Sequence, residues 1–220
     1  MVTVVCESEK LTIPTWVCDL VSFRRWADED NFPEKGQIHW LNGEVWVDLS
    51  KEQIFTHAEV KSEVACILAT LAKNQRLGYY WVAGPLVSNL EADFVVKPDG
   101  ISITYASLKS NRVRFLDGAE GPNEIEGSPD MILEVVSRGS VNKDTVVLRE
   151  AYWKAGVKEY WLVDARQAPL SFELFRQSEQ GYVPTRKQKG WLRSQVFGKS
   201  FRLSQSLDAL NKPAFTLEVR

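Results

Sequence analysis

The stretch SPDMILEVVSRGS, from Ser128 to Ser140, decides the fold. It reads as a turn, a buried strand over 130–136, then a loop. Met131, Ile132, Leu133, Val135 and Val136 are apolar, and Glu134 stands among them. An unpaired carboxylate in such a run is expensive, so Glu134 needs a partner, a proton or a metal ion.

Downstream, NKDTVVLREAYWKAG reads as a helix on which Val146, Val147, Ala151 and Tyr152 share a face, with Gly156 closing its C-terminus. The apolar strand KEYWLVDA follows. Strand, helix and strand at this spacing predict a parallel crossover. From residue 170, LSFELF, GYVPTRK and SQVFGKSFRLS predict hairpins.

Upstream, YYWVAGPLVS and ADFVVKPDGISIT read as strands, with Pro98 marking an edge or a strand break. Residues 105–128 read as a polar loop. THAEVKSEVACILATLAKN is the clearest amphipathic helix, with Val60, Val64, Ile67, Leu68 and Leu71 on one face and Thr56 or Ser50 as its cap. In QIHWLNGEVWVDLS, Asn42-Gly43 between alternating arms predicts a hairpin. TWVCDLVSFRRWADED predicts a helix capped by Thr15. No internal repeat interrupts this pattern. The expectation is a single α/β domain over 1–220 built on a mixed sheet.

With 220 residues, 44% of them apolar, the chain can bury a sizeable core. The net charge of −2 gives no global attraction to nucleic acid or membrane, so any anion site must be local. Cys6, Cys18 and Cys66 have no CxxC spacing and only two histidines accompany them, which argues against a Cys/His zinc site. An odd cysteine count without a secretory signal points to a reducing, cytoplasmic location. No apolar run approaches the length of a membrane span.

Two acids stand out for chemistry. Asp99, in VVKPDGISI, and Glu134 lie on separate strands, and their carboxylates meet if those strands are neighbours. Two or three carboxylates plus waters are what Mg²⁺ uses. Such an ion polarises a phosphoryl oxygen and activates water. A nearby cation stabilises the charge that develops on phosphate.

KPDG, then SPDMILEVVS, then AYWKAGVKEYWLVDAR resembles the putative restriction endonuclease family within the PD-(D/E)XK nuclease superfamily. LNGEVWVDLS…THAEV resembles that family's hairpin and first helix, and WLRSQVFGKSFRL its C-terminal hairpin. The likeness covers roughly residues 20–205. It implies a restriction endonuclease-like core, a mixed β-sheet flanked by helices with additional β-hairpins. It also implies a homodimer and Mg²⁺-dependent cleavage of phosphodiester bonds in DNA, or in RNA, with Mn²⁺ as an alternative ion. By motif match Asp99 is the PD aspartate and Glu134 the core (D/E), together the metal ligands. The expected lysine is missing. Val136 stands two residues after Glu134, and Leu148 stands four before the helix tyrosine, where related sequences place it. Lys143, at the helix start, is the replacement favoured here over Arg149 and Arg138. The alternative reading is a nuclease-fold protein that binds nucleic acid or a protein partner without turnover.

Further candidates each have a plainer reading. Glu44 follows the hairpin turn as an outer ligand of the site or, more plainly, a surface carboxylate. His57 opens the amphipathic helix as a base or, more plainly, a cap or packing residue, and Glu63 on the same helix is a further candidate acidic ligand. Asp130 repeats the PD text and competes with Asp99, or serves as a turn residue. Tyr152, Tyr160 and Trp161 suit the core. Between Gly181 and Ser206 there is no acid; Arg186, Lys187, Lys189, Arg193, Lys199 and Arg202 interleave with Tyr182, Trp191, Phe197 and Phe201. That run reads as a solvated face, or as a phosphate-backbone contact.

Overall fold

The computed structural model describes residues 2–6, 9–33, 36–118 and 121–220. The expected strand is Met131–Val135, in the middle of a six-stranded mixed sheet. That sheet runs in the order Gly181–Pro184, Ser171–Ser178, Glu159–Asp164, Met131–Val135, Gly100–Thr104 and Gly78–Val82. Met131–Val135 pairs parallel with Glu159–Asp164 and antiparallel with Gly100–Thr104. The predicted crossover is present. It consists of a π-helical turn, Lys143–Val147, that continues as the α-helix Leu148–Lys154. Gly156 ends it at φ +76°, and the Val157 amide returns to the Tyr152 carbonyl at 3.0 Å.

Alternate residues of the central strand serve two cores, as a period of two requires. Met131, Leu133 and Val135 pack with Trp161, the helix Val60–Asn74 and the three-stranded C-terminal sheet formed by Leu192–Arg193, Ser200–Leu207 and Pro213–Val219. Ile132 packs on the other face with Tyr152, Tyr160, Ile101 and Phe94. Glu134 shares that second face.

Phe94 belongs to a second six-stranded mixed sheet, ordered Glu44–Asp48, Gln37–Leu41, Phe94–Val96, Leu86–Asn89, Gly121–Gly127 and Val113–Gly118. Helix Leu20–Ala27 covers it with Leu20, Phe23 and Trp26. The Asn42-Gly43 hairpin forms as expected, both residues at positive φ. Pro98 breaks a strand, and here the chain leaves one sheet at Val96 and enters the other at Gly100. Among the described residues no helix is long and apolar enough to cross a membrane.

Several local expectations are corrected. Helix Leu20–Ala27 is capped by Asp19, not Thr15: Asp19 Oδ1 accepts the Ser22 amide at 2.7 Å and Ser22 Oγ accepts the Asp19 amide at 3.0 Å. The amphipathic helix has no side-chain cap, because the π-helical turn Ile54–Glu59 precedes it. Residues 105–128 hold a helix, Tyr105–Lys109, and the hairpin Val113–Gly118/Gly121–Gly127. The hairpin reads as a loop because ion pairs, not an apolar face, fix much of it: Arg24 bonds both Glu124 and Glu126. In the basic run, Tyr182, Phe197 and Phe201 are core residues. The Arg202 and Arg220 guanidinium groups both pack over the Trp191 ring.

Asp130 sits at the start of the central strand, the end away from Glu134. It accepts bonds from the Thr104 amide at 2.7 Å and Ser107 Oγ at 2.8 Å, and pairs with Lys158. It ties helix Tyr105–Lys109 to the sheet. Asp130→Ala strands two donors, and chemical denaturation is expected to show a loss of about 3 kcal/mol; a loss below 1 kcal/mol would contradict this structural role.

Candidate active site

The pairing of Gly100 with Leu133 sets Asp99 beside Glu134 on the neighbouring strand. Glycine is needed after Asp99, since a Cβ at Gly100 would collide with the buried Tyr80 hydroxyl. Asp99 Oδ2 accepts the Val135 amide at 2.8 Å, which locks the carboxylate to the central strand. Asp99 and Glu134 are 4% and 3% exposed. Both line one cavity of about 90 Å³, with Glu52, His57, Lys143 and Asp144 also in its wall.

Two π-helical turns open on this cavity, one carrying His57 and the other Lys143 and Asp144. Turns of this kind, one residue wider than an α-helical turn, recur at functional sites. His57 Nε2 lies 3.4 Å from Asp99 Oδ2, and its Nδ1 lies 2.8 Å from Glu52 Oε1. Lys61, one helical turn further, places Nζ 3.4 Å from Asp99 Oδ1 and also pairs with Glu52. Burial alone would raise the Asp99 pKa. The His57 ring, the Lys61 charge and the Val135 amide outweigh it and hold that carboxyl below its usual range.

Glu134 is in the opposite condition. Burial, reinforced by the charges of Asp144 and Asp99, pushes its pKa well above the usual value, against the pull of Lys143 and of the Tyr152 hydroxyl. Tyr152 donates to Glu134 Oε1 at 2.7 Å. Asp144 is likewise raised, to about 6, chiefly by burial. Ser140 Oγ donates to Asp144 Oδ2, while Oδ1 has no hydrogen bond among the described residues and the Lys143 ammonium stands 3.4 Å from it. Burial opposes the charge on Lys143, but Glu134, Asp144 and Asp99 outweigh it and raise its pKa above that of a free lysine.

Other buried acids differ. Glu159 bonds Ser194 Oγ, the Val196 amide and Trp161 Nε1, stapling the C-terminal segment, and Asp130 is fully bonded as described. Glu134 and Asp144 instead share the cavity with few donors.

The structure brings Asp99, Glu134, Lys143 and His57 together. It leaves four other candidates outside. Glu44 is an exposed hairpin residue. Glu63 Oε1 accepts the Leu217 amide at 2.7 Å and so anchors the C-terminal strand. Asp130 lies at the far end of its strand. The Arg149 guanidinium rests 4.1 Å over the Phe175 ring. Val136 and Leu148, at the two expected lysine positions, are both buried in the apolar core. Sequence reading missed Lys61, Glu52, Asp144 and the Tyr152 hydroxyl. The i,i+4 spacing of His57 and Lys61 was the available signal, since it puts both on one helix face.

A mixed sheet flanked by helices, with buried acids from two neighbouring strands at one cavity, defines a restriction endonuclease-like α/β protein. Residues 20–207 match the family model described as "Uma2: Putative restriction endonuclease", and the chain belongs to that family. The crystal structure of a "putative nuclease belonging to DUF820" from Anabaena variabilis is similar in fold. It has a TM-score of 0.60 at 15% identity, covering 82% of this chain and 90% of that one. No curated protein matches.

Proposed function

We propose that the protein is a metal-dependent endonuclease that hydrolyses phosphodiester bonds of DNA. In this reading Asp99 and Glu134 hold Mg²⁺ or Mn²⁺, and Lys143 takes the place of the usual lysine. The observation that supports it is the pairing of two buried strand carboxylates at one cavity, one of them short of donors. Among the described residues no three His, Cys, Asp or Glu side chains close around a single point. Mg²⁺ fits nonetheless, because it commonly takes one or two carboxylates and keeps several waters. When bound, the ion would polarise a phosphoryl oxygen and acidify a water. The chain's own groups do the rest. The Val135 amide and Tyr152 hydroxyl fix the two carboxylates. Lys143 supplies positive charge to the reacting phosphate, and His57 and Lys61 hold Asp99 in place.

Val136 and Leu148 favour a second reading, a nuclease fold that binds without turnover. Two measurements separate the two. Plasmid and single-stranded DNA incubated with Mg²⁺ or Mn²⁺ should be nicked or cut by the wild type. Melting in EDTA and in either ion at about 100 times its Kd should show a rise of about 5 °C with metal, lost in Glu134→Gln. A metal-dependent rise without cleavage supports the second reading. The absence of both effects would dismiss both roles for the site.

A further inference from the structure

One buried group near the cavity has no part in that reading. His39, on strand Gln37–Leu41, is 1% exposed. Its Nδ1 accepts the Lys97 amide at 3.2 Å, so the ring proton lies on Nε2. Burial, then the positive charges of Lys143 and Lys97, push its pKa down to about 3. The ring is therefore a neutral donor at any working pH. Its Nε2–H is buried and, among the described residues, has no hydrogen-bond partner. An unmet buried donor is costly and calls for an acceptor.

His39 lines a second cavity of about 250 Å³ with Trp46, Val47, Asp48, Gly139 and Lys143. Asp48 and Lys143 also line the Asp99–Glu134 cavity, so the two compartments adjoin. Gly139, in the wall of the second cavity, packs closely on this side, since a Cβ there would press to 3.3 Å from Asp48 Oδ2 and 3.4 Å from Ser50 Oγ. Asp48 is itself engaged, its Oδ1 accepting the Ser50 amide at 2.8 Å. Beside the Asp48 carboxylate, the His39 N–H and the Lys143 ammonium are the donors that the side chains of this wall offer. Trp46 adds an aromatic wall, which suits a base or a sugar.

We propose that this compartment is a nucleotide subsite: His39 Nε2–H and Lys143 receive a non-bridging oxygen of the phosphate next to the one being cleaved, and Trp46 packs against the attached nucleoside. The inference rests on the phosphodiesterase reading and adds to it where the neighbouring nucleotide lies. An anionic oxygen is the acceptor that uses both donors at once.

The test uses the 5′-phosphorylated dinucleotide pdTdT in EDTA, with plasmid cleavage in Mg²⁺ measured on the same preparation. The His39 Nε2–H resonance of the ¹⁵N-labelled protein should move on adding pdTdT. His39→Phe should weaken pdTdT binding about tenfold, whereas His39→Gln, which restores an N–H, should stay within about threefold. A wild-type resonance that does not move overturns the subsite, as does full affinity in His39→Phe. If His39→Phe does not fold, the wild-type resonance and His39→Gln decide. Cleavage without a pdTdT response rejects the subsite alone; absence of both rejects the nuclease reading with it.

Discussion

Asp99→Asn is expected to lower Mg²⁺-dependent DNA cleavage at least about 100-fold, the usual scale for removing one preorganised charged group from a reacting phosphate or carbonyl. Asparagine keeps the shape and can still accept the Val135 amide, so folding should survive. What it loses is the charge that a divalent ion needs. Glu134→Gln should be equally severe. The double variant should fall little further, since two ligands of one ion act as a unit. The decisive comparison is Asp130→Asn, which alters the other PD aspartate. Activity per folded molecule should there remain within about threefold of wild type, because Asp130 bonds structure at the opposite end of the strand. A collapse in Asp130→Asn with retention in Asp99→Asn would reverse the assignment.

Lys143→Ala is the second large effect. Cleavage should fall about 100-fold, while Arg149→Ala, whose guanidinium packs on Phe175 outside the cavity wall, should change it less than about twofold. Arginine should not rescue position 143, for its planar fork does not fit where a compact ammonium stands between Glu134 and Asp144. Loss of Lys143 also removes a cation that competes for those acids. Mn²⁺ should therefore bind Lys143→Ala at least as tightly as wild type. Slow chemistry with undiminished metal binding is the signature of a group that faces the phosphate; a parallel loss of metal would mean that Lys143 only shapes the site. Lys61→Ala belongs in the same series. A larger loss there than at Lys143 would move the role to the helix that carries His57.

Much of this arrangement was legible beforehand because it obeys simple periods. The run around Glu134 and the strand at Glu159–Asp164 are apolar on both faces, as strands buried in a crossover must be. Asn42-Gly43 marks its own turn. Asp99 and Glu134 stood out as acids in apolar strands. The misses have a common cause, which is that they depend on partners distant in sequence. The hairpin after Val113 looks like a loop until Arg24 is set beside Glu124 and Glu126. Thr15 and Asp19 are both good cap residues, and only the Ser22 bonds choose between them. Asp130 and Glu134 sit on one strand with the same chemistry, and only Thr104, Ser107 and Lys158 show that Asp130 is fully engaged. Lys61 and Asp144 acquire meaning only when two separate helix starts are brought to one cavity.

Those two helix starts carry a constraint on how the chain can change in length. A π-helical turn amounts to a regular helix with a residue added. Deleting one residue from Ile54–Glu59 or from Lys143–Val147 would leave a more regular helix with better local hydrogen bonds. Because the wide turn takes up its extra residue locally, the chain before the deletion would keep nearly the same direction around the helix axis. What would change is the aim of the side chains inside the turn itself, His57 in the first and Lys143 and Asp144 in the second. Each added residue thus sets where the side chains of its own turn point. Loops elsewhere on the molecule can lengthen or shorten without this penalty, whereas these two turns are fixed in length by where they aim.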